Sequence, residues 1–219
     1  MVNYTTFNEI VSRITSGGAY KTKQHQTKLK VDPLSFLSAD VAAYERAKTE
    51  LGAAPAATAT ATEKNKYNSA LATLDAKAAT IRKLARDIAQ DVVKGMHGYT
   101  SGLRSQTKRV SVGRRYGVVP RPNIRAVSGE LDDATDVLGQ AKDYLGTVRS
   151  MVDSDADLSA GSVSYIDAAV KRVEGMDRLV GKASTRHSQT VETRESKETD
   201  KKWEKRMKKI EKAAKSGWI

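Results

Sequence analysis

From Tyr67 to Val92 the apolar residues recur four and three apart: Tyr67, Leu71, Leu74, Ala78, Ile81, Ala85, Ile88 and Val92. A helix turns every 3.6 residues, so this spacing gathers them on one face, whereas a strand would scatter them to both sides. Leu84 widens the seam toward a bundle face. The same rhythm returns in Leu131, Ala134, Leu138, Ala141, Leu145, Val148 and Val152, and more loosely in Tyr165, Ile166, Val170, Val173, Met176, Leu179 and Val180. An earlier segment places Leu34, Leu37, Val41, Tyr44 and Leu51 on one face, with Lys48 filling the gap. The chain is therefore expected to be all-α, an elongated helical bundle of heptad-patterned long helices with shallow crossings. Hydrophobic content is 39% and aromatic content 5%, which suits narrow Ala, Leu, Ile and Val seams rather than a thick core. Such alanine-rich seams also leave room for helices from other copies, as in a coiled coil.

The organisation follows from caps and breakers. Thr6 and Glu9 have capping-box spacing, so a short helix is expected from Phe7 to Ser16, stopped by Gly17-Gly18. A basic arm with Lys21, Lys23, His25, Lys28 and Lys30 completes residues 1–31. Asp32-Pro33 is an N-cap followed by proline at N1. It opens a bundle region, 32–183, with helices at 33–51, 63–95, 128–152 and 162–183. Residues 52–62, GAAPAATATAT, read as an Ala/Thr linker and residues 96–127 as a long basic loop. Ser128 is the expected N-cap of the third bundle helix, with Glu130, Asp132, Asp133 and Asp136 near its positive end. Residues 184–219 form a polar extension and a basic C-terminal helix. Residues 184–202 bury no stripe, so they are either an exposed helical extension or a joint. Trp203, Met207, Ile210 and Ala214 then resume a 4-3-4 spacing.

Charge is the strongest functional signal. The net charge is +12. Between Val92 and Gly129, 38 residues hold eight Lys or Arg and no acid. The candidate contacts with a polyanion or protein partner are Arg104, Lys108, Arg109, Arg114, Arg115, Arg121 and Arg125 in this run. Lys201, Lys202, Lys205, Arg206, Lys208 and Lys209 join them near the C-terminus. Guanidinium groups bind phosphates and carboxylates bidentately, and Tyr99 and Tyr116 are available to stack on bases. The bland alternative is a solvated loop balanced by the acids that follow it. For the C-terminal segment the alternatives are a membrane surface, a partner groove or a solvated helix. Glu204 and Glu211 favour (i, i+4) helix pairs over lipid.

The chemistry of catalysis and cofactors finds no anchor. Cysteine is absent, which excludes disulfides and thiolate sites. No Walker loop, G-x-S-x-G, dinucleotide fingerprint or H-E-x-x-H occurs. His25, His97 and His187 share no ligand spacing. Asp153, Asp155 and Asp157 open like a calcium loop, but Leu158 replaces its glycine and Ser164 its final glutamate, so an acidic turn is expected. No catalytic, cofactor or metal residue is assigned. No signal peptide and no bilayer-length apolar run are read, and the chain is expected to be soluble, cytoplasmic or within a virion or other assembly.

The function expected is that of a non-enzymatic structural or assembly protein in a large oligomeric complex. Its partners would be protein subunits, self or other, with homo-oligomers and DNA or RNA backbone among them. A head–tail connector of a virion is one concrete instance. The alternative is a stand-alone basic nucleic-acid-binding protein.

Overall fold

The structure, a computed structural model, describes residues 3–14, 32–115 and 121–215, with side chains except at 108–115, 121–126, 190–200, 206 and 209–215. The basic arm expected at 20–31 lies outside these residues. Among the described residues every regular element is helical: α1 (Tyr4–Arg13), α2 (Pro33–Leu51), α3 (Ala61–Arg115), α4 (Arg121–Asp153), α5 (Ala156–Ser159) and α6 (Ser162–Lys215). The all-α expectation holds. The chain divides into two compact units, Met1–Met96 with Gln140–Glu174, and His97–Gly139 with Gly175–Ile219.

In the first unit, α1 is capped by Asn3, whose side chain accepts the Thr6 N–H at 3.3 Å, so the helix starts before the expected Thr6 cap. Phe7, Val11 and Ile14, spaced four and three apart, are buried, and α1 packs on α2. Asp32 caps α2 by accepting the Leu34 N–H at 3.0 Å, with Pro33 in the first turn where its missing donor costs nothing. Leu37, Val41, Tyr44, Ala47 and Leu51 are buried on its inner face. Gly52 ends the helix at φ +65, a left-handed conformation that glycine takes without a Cβ penalty.

The start of α3 carries a capping box that the simple composition of the linker had hidden. The Glu63 N–H donates to Thr60 Oγ1 at 3.3 Å, and the Thr60 N–H donates back to Glu63 Oε2 at 2.9 Å. Its buried line is Ala70, Leu74, Ala78, Ile81, Ala85 and Ala89, with Leu84 and Ile88 beside it. Leu71, a seam residue by heptad counting, is 39% exposed and Ala70 takes its place. The buried steps run four, four, three, four, four. These steps average 3.8 residues, longer than the 3.5 of a strict heptad line, which drifts by about 20° per repeat on a straight helix of 3.6 residues per turn.

The largest correction concerns the basic loop. Residues 96–115 continue α3 and residues 121–127 open α4, so only 116–120 remain between the two helices, outside the described residues. Gly95 closes the helix expected at 63–95 and Gly102 marks the expected loop, but an interior glycine costs a helix only about 1 kcal/mol. The apolar rhythm continues past them, with Thr100 and Leu103 buried and Met96 and Thr107 half-buried. Pro122 lies in the first turn of α4, the one place in a helix that tolerates it. Ser128 is therefore inside α4 rather than at its cap, and Glu130, Asp132, Asp133 and Asp136 stand beyond the reach of its N-terminal dipole.

The seam expected of α4 is buried throughout: Leu131, Ala134, Leu138, Ala141, Leu145, Val148 and Val152, extended by Val127. On α6 the buried set is Ser162, Ile166, Ala169, Val173, Val180 and His187, and Leu179 is 43% exposed. α6 does not stop near residue 183. It continues as helix through 184–202 to Lys215. Glutamates four residues ahead of lysines, Glu198/Lys202, Glu204/Lys208 and Glu211/Lys215, give the spacing that supports a helix without a buried face.

Candidate interaction surface

The acidic turn between α4 and α6 belongs to the first unit and is a structural tie. Asp155 caps α5, accepting the Asp157 N–H at 2.8 Å. Lys48, the residue that interrupts the apolar face of α2, reaches Asp155 Oδ2 at 2.6 Å and Asp157 Oδ2 at 2.8 Å. The Tyr44 hydroxyl donates to Asp157 Oδ2 at 3.2 Å, and Arg82 of α3 donates to the Asp157 carbonyl at 2.7 Å. Ser154 donates to Glu45 at 3.1 Å. Asp153 turns away to Arg149, 3.0 Å, which also holds Asp167 at 2.8 Å.

The titration shifts follow from this geometry. Hydrogen bonds to Asp155 and then Asp157 hold the Lys48 ammonium above its ordinary range. The Lys48 hydrogen bond holds Asp157 below the usual carboxylate range, against a smaller opposing effect of burial. Burial, then the Asp157 and Asp155 charges, push the Tyr44 phenol up. Each shift drives the group further into the charge state it already has at neutral pH. Such a set fastens α2 and α3 to the turn. The D-x-D-x-D spacing thus supplies a helix cap and three carboxylates that hold the side chains of Lys48 and Arg149.

A polar cleft of about 530 Å³ opens in the same unit between α1 and α3. Tyr4 and Asn8 line one side, and Thr62, Asn65, Lys66, Ser69, Ala70 and Thr73 the other. It offers hydroxyls, amides and one ammonium group.

The basic candidates all fall in the second unit. Arg104 is exposed on α3. Lys108, Arg109, Arg114 and Arg115 lie on the last turns of α3, and Arg121 and Arg125 on the first turns of α4, with side chains outside the described ones. Lys201, Lys202, Lys205 and Lys208 are exposed on α6, while the side chains of Arg206 and Lys209 are likewise outside the described ones. What looked like a loop and a separate tail is thus one set of helices. The unit contains 20 Lys and Arg against 11 Asp and Glu, a net +9 out of the chain's +12. Charge counting along the sequence missed this concentration because the two basic segments are about 75 residues apart in the chain and only the fold joins them.

The remaining sequence features separate from this set. His97 is exposed and His187 is buried at 6% exposure, continuing the α6 seam. Tyr99 is 38% exposed in the second unit. Among the described residues no helix is long and apolar enough to cross a membrane. No family model, curated protein or solved structure matches this chain.

Proposed function

We propose that this chain is a non-enzymatic assembly protein. It would act as a structural component of a large oligomeric complex, with its second unit as the contact surface for neighbouring subunits and for nucleic acid. A virion component such as a head–tail connector is one instance of the type. The observation that supports the reading is the net +9 carried by one helical unit, with Lys201, Lys202, Lys205 and Lys208 exposed on a helix that also displays Trp203. Clustered cations steer anionic surfaces together and set which faces meet. A neighbouring apolar side chain adds the buried contact that charge alone does not supply.

A stand-alone nucleic-acid-binding protein is the second reading, favoured by the arginines that close α3 and open α4. The two separate by solution mass, measured with and without duplex DNA. An assembly protein forms multimers without DNA. A stand-alone binder stays at the monomer mass of 23.8 kDa until DNA is added, and its affinity falls steeply with salt as counterions are released. A monomer that ignores DNA refutes both.

A further inference from the structure

The second unit takes residues 175–215 from α6 but only 97–115 from α3 and 121–139 from α4. The excess of α6 is about 22 residues, or roughly 33 Å of helix at 1.5 Å per residue. Helices of the length of α3 and α4 here cannot cover it. Burial agrees. α6 is buried at Val180 and at His187, yet each described side chain from Lys201 onward is exposed. Trp203 is 64% exposed and Met207 37%. They stand one turn apart, and Ile210 and Ala214 keep the same 4-3-4 line in the sequence. At 100° per residue these positions span about 60° of arc, which leaves the rest of the helix to charged groups. A narrow apolar edge inside a polar helix suits another helix better than a bilayer, which takes a broad apolar face.

The same unit carries a surface of opposite character. Glu130, Asp132, Asp133 and Asp136 are exposed on α4. Gly129 and Gly139 flank them, and nothing lies within 4 Å of where their Cβ atoms would be. A partner helix can therefore come close to an anionic strip there. Among the described residues no ion pair joins these acids to Lys201, Lys202, Lys205 or Lys208. Four exposed lysines and four exposed acids thus stand on one chain without meeting each other. Two complementary patches that do not satisfy one another within a chain have the form that a heterologous, head-to-tail contact between copies requires.

We propose that the Trp203–Met207 edge of α6, with its flanking lysines, docks on the acidic strip of α4 in a second copy of this chain. This rests on the assembly reading and names its partner. Each copy offers one patch and receives the other, so the contact propagates into a ring or a filament.

A charge exchange in the full-length chain tests it. One variant carries Lys201→Glu, Lys202→Glu and Lys205→Glu. The other carries Asp132→Lys, Asp133→Lys and Asp136→Lys. Each alone is expected to self-associate about tenfold or more weakly than the wild type, since like charges then face each other. Mixed one to one, the two should recover association, because each reversed patch meets its complement on the other variant. That recovery also shows that both variants fold. Trp203→Ala should weaken association without any change in charge. If the wild type associates and the variants do so equally well, the contact lies elsewhere and this inference falls while the assembly reading stands. If the lysine variant loses only its binding to duplex DNA or to phosphatidylserine vesicles, the partner is a polyanion and the inference falls likewise. A wild type that is monomeric at every concentration overturns both.

Discussion

Replacing Gly95, Gly98 and Gly102 together by alanine should stabilise the protein. All three are helical and exposed within α3, and a Cβ at each would meet nothing within 4 Å. No contact is therefore at risk, and the effect reduces to helix propensity, about 1 kcal/mol per exposed glycine. The sites are three and four residues apart, so additivity is approximate. The triple variant should gain about 2–3 kcal/mol in stability, with Gly95 in the first unit and Gly98 and Gly102 in the second. That corresponds to a rise in its midpoint of roughly 4–12 °C for a chain of this size. Thermal unfolding followed by circular dichroism reads it. Gly52→Ala is the internal control. Gly52 has φ +65, where alanine is strained, so the same substitution there should lower stability by about 1 kcal/mol. A triple variant with an unchanged or lower midpoint would mean that residues 95–102 are not helical, and α3 would then end where the glycines begin.

Seam positions give a second contrast: Leu74→Ala should cost about 2–5 kcal/mol, because Leu74 is 2% exposed, while Leu71→Ala should cost well under 1 kcal/mol, with Leu71 39% exposed. Equal shifts in denaturant midpoint would restore the strict heptad line. The acidic turn gives a third, in pH. Asp157 has its folded pKa lowered, chiefly by Lys48, so its contribution is complete above the ordinary carboxylate pKa and is lost as pH falls through the folded value. Its side chain is 52% exposed, so the tie contributes less than about 1 kcal/mol. Asp157→Asn should therefore lower stability slightly at neutral pH and shrink the difference from wild type under acid, and a difference that grows toward low pH would refute the assignment.

Hydrophobic spacing made the helices legible because burial selects it directly. The α4 seam from Leu131 to Val152 could be read residue by residue, and Asp32-Pro33 marked the start of α2. Local signals failed where a weak cost was taken for a prohibition. Gly102, Gly113, Gly117, Pro120 and Pro122 suggest a loop over 96–127, yet a glycine costs a helix little and Pro122 falls in a first turn. The Thr60–Glu63 box is present in the sequence but is masked by the alanine- and threonine-rich composition around it. In the sequence Lys48 only fills a gap in the apolar spacing of α2. Its role appears only when the turn at Asp155–Asp157, more than a hundred residues away, is folded beside it. The basic residues were found as types and positions, but their concentration in one unit was not, since that depends on which helices assemble with which. The polar stretch 184–202 allowed two readings because a helix without a buried face leaves no apolar period to count.

If the basic end of α6 is a surface used in assembly, association covers its lysines. Acylation of lysines, read by mass spectrometry on associated and salt-dissociated protein, tests it most directly. Lys201, Lys202, Lys205 and Lys208 are exposed in the single chain, as are Lys66 and Lys83 in the first unit. Association should protect the first four and leave Lys66 and Lys83 as reactive as before. Protection of Lys66 and Lys83 with full reactivity at Lys201–Lys208 would contradict the account and move the contact surface to the first unit.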